Sequence, residues 1–205
     1  MDYPPFFRKF SLNETGEHEM LKTCVLASIE SLKHNGGYFD YDDRGPGNLK
    51  NLDDGEIDIP AQFHKLDLKY ADMSYSDYKT GKDGYVPPYK NMVDKTIRPM
   101  LEHYAGMWGC SRFQLRMMWF AQYYDSAHFG WHTHEGCNMS AIYFVECPKE
   151  EQITEFHGIN VEPLDLEEGD ILVFPSMLPH RSRPINNTDR KTVIGITGEI
   201  HSCRL

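Results

Sequence analysis

The C-terminal half of this chain is divided into short apolar runs, and this division restricts the fold more than any other feature. Five runs rich in β-branched or aromatic residues follow one another between turn residues, at 112–124, 140–147, 153–156, 171–174 and 192–200. Successive strands of this length and spacing are typical of a sandwich or a barrel. The pattern predicts a mainly β fold for residues 106–205.

The first hundred residues carry a helical pattern instead. From Glu17 to Asn35, apolar residues recur at three- and four-residue steps and a Gly pair follows, which predicts an amphipathic helix. A second helix is predicted from Met92 to Tyr104, with a kink or an early end at Pro99 because proline cannot donate a backbone hydrogen bond. We therefore expect helices to lie against the β-rich half.

Residues 36–90 form a long, irregular loop region between the two predicted helices. Gly, Pro, Asp and Tyr dominate it, and only 57–70 offers a strand-like stretch. A segment of this kind inside a compact chain is usually functional or mobile, so it either covers a substrate or is an exposed excursion without a role. We expect one domain over 1–205, with a helical, loop-rich part at 1–105 and a β core at 106–205.

Composition and charge exclude several classes of protein. The 205 residues include 21 Lys and Arg against 31 Asp and Glu, a net charge of -10, which argues against nonspecific binding of nucleic acid. No apolar run approaches the length of a membrane span, and the charged N-terminus does not match a signal peptide, so a cytoplasmic location is expected. The five cysteines are odd in number and form no CxxC, which predicts free thiols.

Three histidines stand out as candidate metal ligands. His132 and His134 are two residues apart, and the period of a strand puts both rings on one face. His180 follows the buried run 171–174 after a turn that contains two prolines. A barrel can bring these strand ends together, which would leave three imidazoles on one side of a metal ion and open positions on the other, as in non-haem iron oxygenases.

Two segments resemble a known family. HTHEGCNMSAIYFVE and GDILVFPSMLPHRSRPINNTDRKTVIGITGE are similar to the catalytic core of the 2-oxoglutarate and Fe(II)-dependent oxygenases, in particular their prolyl-hydroxylase-like and uncharacterised branches. The resemblance covers residues 110–200. It implies a double-stranded β-helix, the jelly-roll fold shared with cupins, preceded by helices.

The resemblance also implies roles for individual residues. His132 would be the first iron ligand and His180 the distal one. Arg190, ten residues after the distal histidine, would bind the far carboxylate of 2-oxoglutarate, because its planar guanidinium can hold a carboxylate with two hydrogen bonds. Thr192 completes the family's Arg-x-Ser/Thr pattern, and Tyr123, nine residues before the first histidine, would reach the same carboxylate.

The second ligand departs from the family pattern. Members normally have Asp or Glu two residues after the first histidine, and this chain has His134 there with Glu135 one residue further. Either His134 completes a site of three histidines, or a bulge at the strand end turns Glu135 inward and restores two histidines and one carboxylate. Strand parity favours His134.

The resemblance implies an Fe(II)-dependent hydroxylase that consumes O2 and 2-oxoglutarate and releases succinate and CO2. The favoured substrate is a peptide or protein side chain or an amino acid; the oligomeric state and the particular substrate stay open. Several aromatic residues flank the site and would line the substrate side or belong to the core: Trp119, Tyr124, Phe129, Trp131 and Tyr143.

Two other classes compete with this interpretation. A cupin-type metalloenzyme that uses no 2-oxoglutarate, either a three-histidine dioxygenase or an isomerase, shares the His-x-His motif. The cupin motif has a glutamate at the position of Asn138, which this chain lacks, and it requires no basic residue at the position of Arg190. The third class is a non-catalytic β-barrel module that binds a metal.

Overall fold

A computed structural model describes residues 4–34, 39–40, 71–72, 75–76, 88–123, 128–148, 154–183 and 190–201. Most of the predicted loop region, including its strand-like stretch at 57–70, lies outside these residues. Helices and strands within them are β1 (Arg8–Ser11), α1 (Leu12–Thr15), α2 (His18–His34), β2 (Phe39–Asp40), β3 (Ala71–Asp72), β4 (Tyr75–Ser76), α3 (Pro88–Met107), β5 (Arg112–Tyr123), β6 (His128–His132), β7 (Met139–Glu146), β8 (Glu155–Phe156), a 3-10 turn (Glu162–Leu164), β9 (Asp170–Pro175), β10 (His180–Ser182) and β11 (Lys191–His201).

The strands form two antiparallel sheets. The larger sheet has seven strands in the order β1-β9-β7-β11-β5-β4-β2, and the smaller has four in the order β3-β6-β10-β8. The described residues are thus mainly β with few helices, which confirms the β-rich fold class predicted from the C-terminal runs. No described helix combines the length and the apolarity needed to cross a membrane.

Long strands coincide with the predicted runs, whereas the short strands β1, β2, β3, β4, β6 and β10 were not predicted. β5, β7, β9 and β11 lie within one or two residues of the expected bounds, and β8 falls inside the expected 153–156. β1, β6 and β10 have three to five residues each and polar or glycine-containing sequences, so their own propensity is weak. They are held by pairing with a neighbouring strand, which a single sequence does not reveal.

Helix α3 corrects one prediction. It runs from Pro88 to Met107 and continues past Pro99, so the early end expected at that residue is wrong. Proline removes one backbone hydrogen bond, but the helix buries a face of large side chains against the sheet on both sides of Pro99, including Tyr89, Ile97 and Leu101. Tertiary packing of this face outweighs the local effect of proline.

Each face of the larger sheet supports its own core. Side chains such as Phe120, Tyr143 and Ile194 pack with the helices α2 and α3. Their neighbours along the same strands, such as Phe144 and Val193, point the other way into a second core. This alternation, which follows the period of a strand, defines a helix-facing side and a cavity-facing side of the larger sheet. The smaller sheet, with β6 and β10, lies on the cavity-facing side.

The described cysteines form no disulfide with one another: Cys24, Cys110, Cys137 and Cys147. Cys203 lies outside the described residues.

Candidate active site

Strands β6 and β10 bring the predicted histidines together. The two strands pair antiparallel, and His180 stands directly opposite His132 in the register. His134 follows two residues after the end of β6, and its backbone N–H donates to the carbonyl of Ser176 at 3.1 Å. The ring centroids of His132 and His180 are 4.2 Å apart, and His134 lies 5.0 and 5.1 Å from them. One ligand nitrogen from each ring lies within 4.8 Å of the others.

Two of the rings have a defined orientation. The Nδ1 of His132 is 2.8 Å from the carbonyl oxygen of Gly130, and the Nδ1 of His180 is 2.9 Å from that of Leu178. A carbonyl can only accept a hydrogen bond, so each Nδ1 carries the proton. The Nε2 of each ring is therefore left with a lone pair, the form in which imidazole binds a metal.

Burial keeps the three imidazoles neutral. It lowers the pKa of His132 and His134 well below the ordinary value, and the neighbouring histidines lower it further. The pKa of His180 falls to about 4, mainly through burial, although the hydrogen bond to Leu178 opposes this. Three neutral imidazole rings whose ligand nitrogens lie this close together can bind a transition-metal ion such as Fe(II), Zn(II) or Ni(II).

Glu135, the alternative second ligand, is placed differently. Its side chain is exposed. Among the described residues, the group of side chains that could hold a metal ion at this place includes His134 and not Glu135. Gly136, which follows Glu135, has a positive φ of 72°, in the left-handed region that glycine adopts at tight turns. The described residues that could hold a metal ion at this place are thus three imidazoles, without a carboxylate.

Apolar rings surround the histidines. Phe129 lies 4.1 Å from His132 between ring centroids, and Phe174 lies 4.8 Å from His180. Trp119 lies 5.4 Å from His134. Gly195 makes room for Trp119, because a Cβ at that position would be 2.4 Å from the indole ring. Such a shell limits access of water to a metal site.

The loop that carries His134 is tied to two neighbouring strands. Ser176 is fully buried, and its hydroxyl lies 2.8 Å from that of Ser140 and accepts from the Cys137 thiol at 3.2 Å. Asn138 donates from Nδ2 to the carbonyl of Ile200 at 3.0 Å and accepts from the Ile200 N–H at 2.8 Å. These bonds set the position of His134 beyond the end of its strand.

A cavity of about 500 Å³, including its open mouth, adjoins the histidines. Its lining includes Trp119, Tyr123, Phe129, Arg181, Ser182 and Lys191. Lys191 is buried, donates from Nζ to the hydroxyl of Ser182 at 2.6 Å and lies 5.2 Å from the centroid of the Tyr123 ring. Burial raises the pKa of Tyr123, and its hydrogen bond with Ser182 lowers it by less, so the phenol stays protonated.

Arg190 and Thr192 lie on the helix-facing side of the sheet, away from this cavity. Arg190 binds both carboxylate oxygens of Glu146, at 2.7 and 2.6 Å, and approaches Glu30 of α2 at 3.8 Å. The hydroxyl of Thr192 donates to Glu146 and accepts from Gln122. The structure brings Tyr123 to the cavity and does not bring Arg190 or Thr192 there. The basic residues of this part of the chain that line the cavity are instead Arg181 and Lys191.

The aromatic residues expected near the site separate into groups. Trp119 and Phe129 line the cavity, whereas Tyr143 lies in the helix-facing core. Trp131 does not line the cavity but contacts Arg181, which does, and the guanidinium lies 4.8 Å from the centroid of its ring. Arg181 in turn donates to Glu155 at 2.5 Å. Tyr124 lies outside the described residues.

Comparison with known proteins relates the fold to one group of enzymes. No protein-family model matches the chain, and no curated protein matches it significantly. Among solved structures, a prolyl-4-hydroxylase from Pseudomonas putida is similar with a TM-score of 0.55 at 13% identity, over 94% of this chain and 91% of that one.

A prolyl hydroxylase from Trichoplax adhaerens, in complex with a peptide fragment of the hypoxia inducible factor oxygen degradation domain, is similar with a TM-score of 0.53 at 10% identity, over 94% of this chain and 83% of that one. A 2OG-Fe(II) oxygenase family oxidoreductase from Burkholderia pseudomallei has a TM-score of 0.45 at 11% identity, over 55% of this chain and 56% of that one. The chain thus has the fold of the prolyl hydroxylases, at sequence identities that relate the fold alone.

Proposed function

We propose that this chain is an Fe(II)- and 2-oxoglutarate-dependent oxygenase that hydroxylates a C–H bond of a peptide, protein side chain or amino acid. In this reaction 2-oxoglutarate, O2 and R–H give succinate, CO2 and R–OH. The observation that carries the proposal is the shared cavity of His132, His134, His180 and the buried cation Lys191. The two facing sheets would form the double-stranded β-helix that the sequence resemblance implies.

The three histidines would hold the metal. The Nε2 atoms of His132 and His180 are available because the Nδ1–H of each ring donates to a backbone carbonyl. Bound iron supplies the activation of O2 that couples decarboxylation of the cosubstrate to hydroxylation. The protein's part is to orient the rings and to keep water out with Trp119, Phe129 and Phe174.

Lys191 would bind the far carboxylate of 2-oxoglutarate. A buried ammonium group is favoured by an anion close to it, and a dicarboxylate supplies one. The hydroxyls of Tyr123 and Ser182 lie beside this ammonium and would donate to the same carboxylate. We assign this role to Lys191 rather than to Arg190, which is engaged with Glu146.

A peptide or amino acid substrate is supported by the fold. The Trichoplax enzyme of the same fold is in complex with a peptide fragment. Arg181 lines the cavity in this chain and contacts Trp131 and Glu155, so an aromatic ring and both signs of charge lie next to the cavity where a polypeptide could bind.

The proposal is tested by the turnover of the cosubstrate. The chain, purified without metal and loaded with Fe(II), should convert 2-oxoglutarate to succinate in air, and His180→Ala should abolish this. His103→Ala, which removes an exposed histidine of α3, is the matched control and should retain the activity. If the loaded protein binds Fe(II) but neither binds nor consumes 2-oxoglutarate, the proposal is wrong.

One observation favours a second candidate, a dioxygenase or isomerase that needs no 2-oxoglutarate. The metal ligands would be three imidazoles, without the carboxylate that the oxygenase family normally supplies. Binding of 2-oxoglutarate that depends on Lys191 separates the two candidates, because the second has no use for that cation in this position.

A further inference from the structure

Two phenylalanine rings pack against the imidazole of His180. The ring of Phe156 stacks on it with the centroids 5.7 Å apart and an angle of 29° between the planes, and the ring of Phe174 meets it edge-on at 4.8 Å. A hydrogen bond from Nδ1 to the Leu178 carbonyl fixes one edge of the imidazole. Together these contacts limit rotation of the ring and determine the direction of its Nε2, the nitrogen proposed to bind the metal.

The strand that carries Phe156 gives this ring little support of its own. β8 has only two residues and forms an edge of the smaller sheet, where it pairs with β10. Strands usually have about 3–10 residues, so β8 makes few backbone hydrogen bonds. The position of the Phe156 ring therefore depends on the side chains that pack around it.

Phe7 supplies this packing from the N-terminal segment, residues 4–11. Its ring meets that of Phe156 edge-on with the centroids 4.7 Å apart, and it lies 6.3 Å from the ring of Phe174. Phe156 and Phe174 also contact each other, at 4.8 Å. Phe7 is only 1% exposed and does not line the cavity. It thus lies behind the two rings that contact His180, where it cannot touch a ligand in the cavity.

The N-terminal segment is itself fastened to two other parts of the fold. β1 begins directly after Phe7 and pairs with β9, with Arg8 opposite Val173 in the register. Tyr104 of α3 donates from its hydroxyl to the carbonyl of Phe6 at 2.8 Å. The segment is therefore anchored to the larger sheet and to a helix, and the ring of Phe7 connects both to the smaller sheet at Phe156.

We propose that Phe7 is a positioning residue for the metal centre, which holds Phe156 and Phe174 against the imidazole of His180. The inference rests on the proposed function, since it takes His180 as a metal ligand. Loss of a residue that orients a metal ligand typically lowers metal affinity by about 10–100-fold. Phe7 acts through two further rings, so its effect lies at the lower end of this range, about tenfold.

The first test compares Phe7→Leu with substitutions in the other core. Ile97 of α3 is fully buried in the helix-facing core, and Ile97→Val and Ile97→Ala provide a smaller and a larger loss of stability. Urea unfolding without metal measures these losses, and competition with a fluorescent chelator measures affinity for Zn(II). We expect Phe7→Leu to bind Zn(II) about tenfold more weakly and both Ile97 variants to stay within about twofold of the wild type. Unchanged affinity in Phe7→Leu, or an equal loss in an Ile97 variant of similar stability, contradicts the inference.

A spectroscopic measurement separates positioning from general loss of stability. Visible absorption of bound Co(II) reports the geometry of the ligands at the metal. At saturating Co(II), the bands of Phe7→Leu should differ from those of the wild type, whereas those of Ile97→Val should coincide with them. Identical spectra in all three proteins contradict a positioning role for Phe7.

The wild type alone provides a further test, which decides the matter if Phe7→Leu does not fold. Coupling between two sites is reciprocal, so metal binding must stabilise the N-terminal segment against local opening. We expect Zn(II) to slow hydrogen exchange of the amides of residues 7–11 about tenfold, and that of the last turn of α3, which ends at Met107, by less than about twofold.

Unchanged exchange in residues 7–11 at saturating Zn(II) overturns the inference alone. A wild type that binds no divalent metal overturns the proposed function together with the inference, which keeps the two failures distinct.

Discussion

Arg190 and Lys191 are consecutive residues whose side chains lie on opposite faces of the larger sheet. Arg190 binds Glu146 with two hydrogen bonds on the helix-facing side. Lys191 stands opposite Tyr123 in the register and lines the cavity with the histidines. Consecutive residues of a strand point to opposite faces of the sheet, so of Arg190 and Lys191 it is Lys191 that faces the cavity.

The first prediction compares these two cations. Lys191→Met should weaken binding of 2-oxoglutarate by about tenfold to 100-fold, because a charge-assisted hydrogen bond contributes roughly 1.5–3 kcal/mol. Arg190→Met should leave this affinity within about twofold, since its guanidinium does not reach the cavity. Calorimetric titration of the metal-loaded protein measures both. A larger loss in Arg190→Met than in Lys191→Met would return the role to Arg190.

The second prediction concerns the identity of the middle ligand. Loss of a residue that only orients a metal ligand typically lowers metal affinity by about 10–100-fold. His134→Ala removes the proposed ligand itself, so we expect it to lower metal affinity by about 100-fold or more. Glu135→Ala should change the affinity little, because this side chain is exposed. Competition with a fluorescent chelator gives both affinities. The reverse order of effects would identify Glu135 as the ligand.

The third prediction addresses the packing over His134. Gly195→Ala places a Cβ 2.4 Å from the ring of Trp119, which must then move away from its place beside His134. We expect a loss of about 1–3 kcal/mol in the free energy of unfolding, as for other overpacked sites, and weaker metal binding.

Gly106→Ala is the matched control for this substitution. Nothing lies within 4 Å of a Cβ at Gly106, and the residue is in helix α3. Alanine there should leave metal binding unchanged and stabilise the protein by up to about 1 kcal/mol. Chemical denaturation and metal titration of the two variants are the measurements, and normal metal binding by Gly195→Ala would show that Trp119 does not support the site.

The fourth prediction concerns the buried hydroxyl below the His134 loop. Ser176→Ala removes the partner of Ser140 and Cys137. A buried polar group that loses its partner costs about 1–3 kcal/mol, and a loosened ligand loop should lower metal affinity about tenfold. Ser28→Ala, which removes a hydroxyl bonded to the Cys24 carbonyl in α2, should leave metal affinity unchanged. Similar metal affinities in both variants would contradict a positioning role for Ser176.

The fifth prediction is that the stability of the folded protein depends on pH through the carboxyl group of Glu168. Burial raises the pKa of this carboxyl, but hydrogen bonds from Lys22, the Cys147 N–H and His18 lower it by more, so the pKa lies below its ordinary value of 4.5. The folded protein therefore keeps the carboxylate ionised at pH values where the unfolded chain protonates it. The stabilisation is present above about pH 4.5 and is lost as the pH falls below it.

Glu168→Gln should remove this part of the acid sensitivity. At neutral pH the variant should be less stable by about 1–2 kcal/mol, because the carboxylate is partly exposed and its ion pair with Lys22 is screened. Glu167→Gln, at the exposed neighbouring position, is the control and should follow the wild type. Urea unfolding between pH 3 and pH 7 measures the difference. A wild type and a Glu168→Gln variant with parallel pH profiles would contradict the assignment.

Local patterns in the sequence are sufficient for much of this architecture. The apolar runs predict the long strands β5, β7, β9 and β11, because each run is long enough to show its own period. The spacing of His132 and His134 predicts both rings on one side, although His134 lies beyond the end of β6 and is positioned by the contacts of its loop. Free thiols and the helix α2 also follow from local composition and period.

The tertiary structure determines the features that depend on strand register between segments far apart in the sequence. The pairing of His180 with His132 and the place of β1 beside β9 result from contacts across long stretches of chain. Which of Arg190 and Lys191 faces the cavity depends on the register of β11 with its partner strands, and no local pattern specifies that residue. A strand reverses its faces with every residue, so only its partner strands determine which side chain enters the cavity.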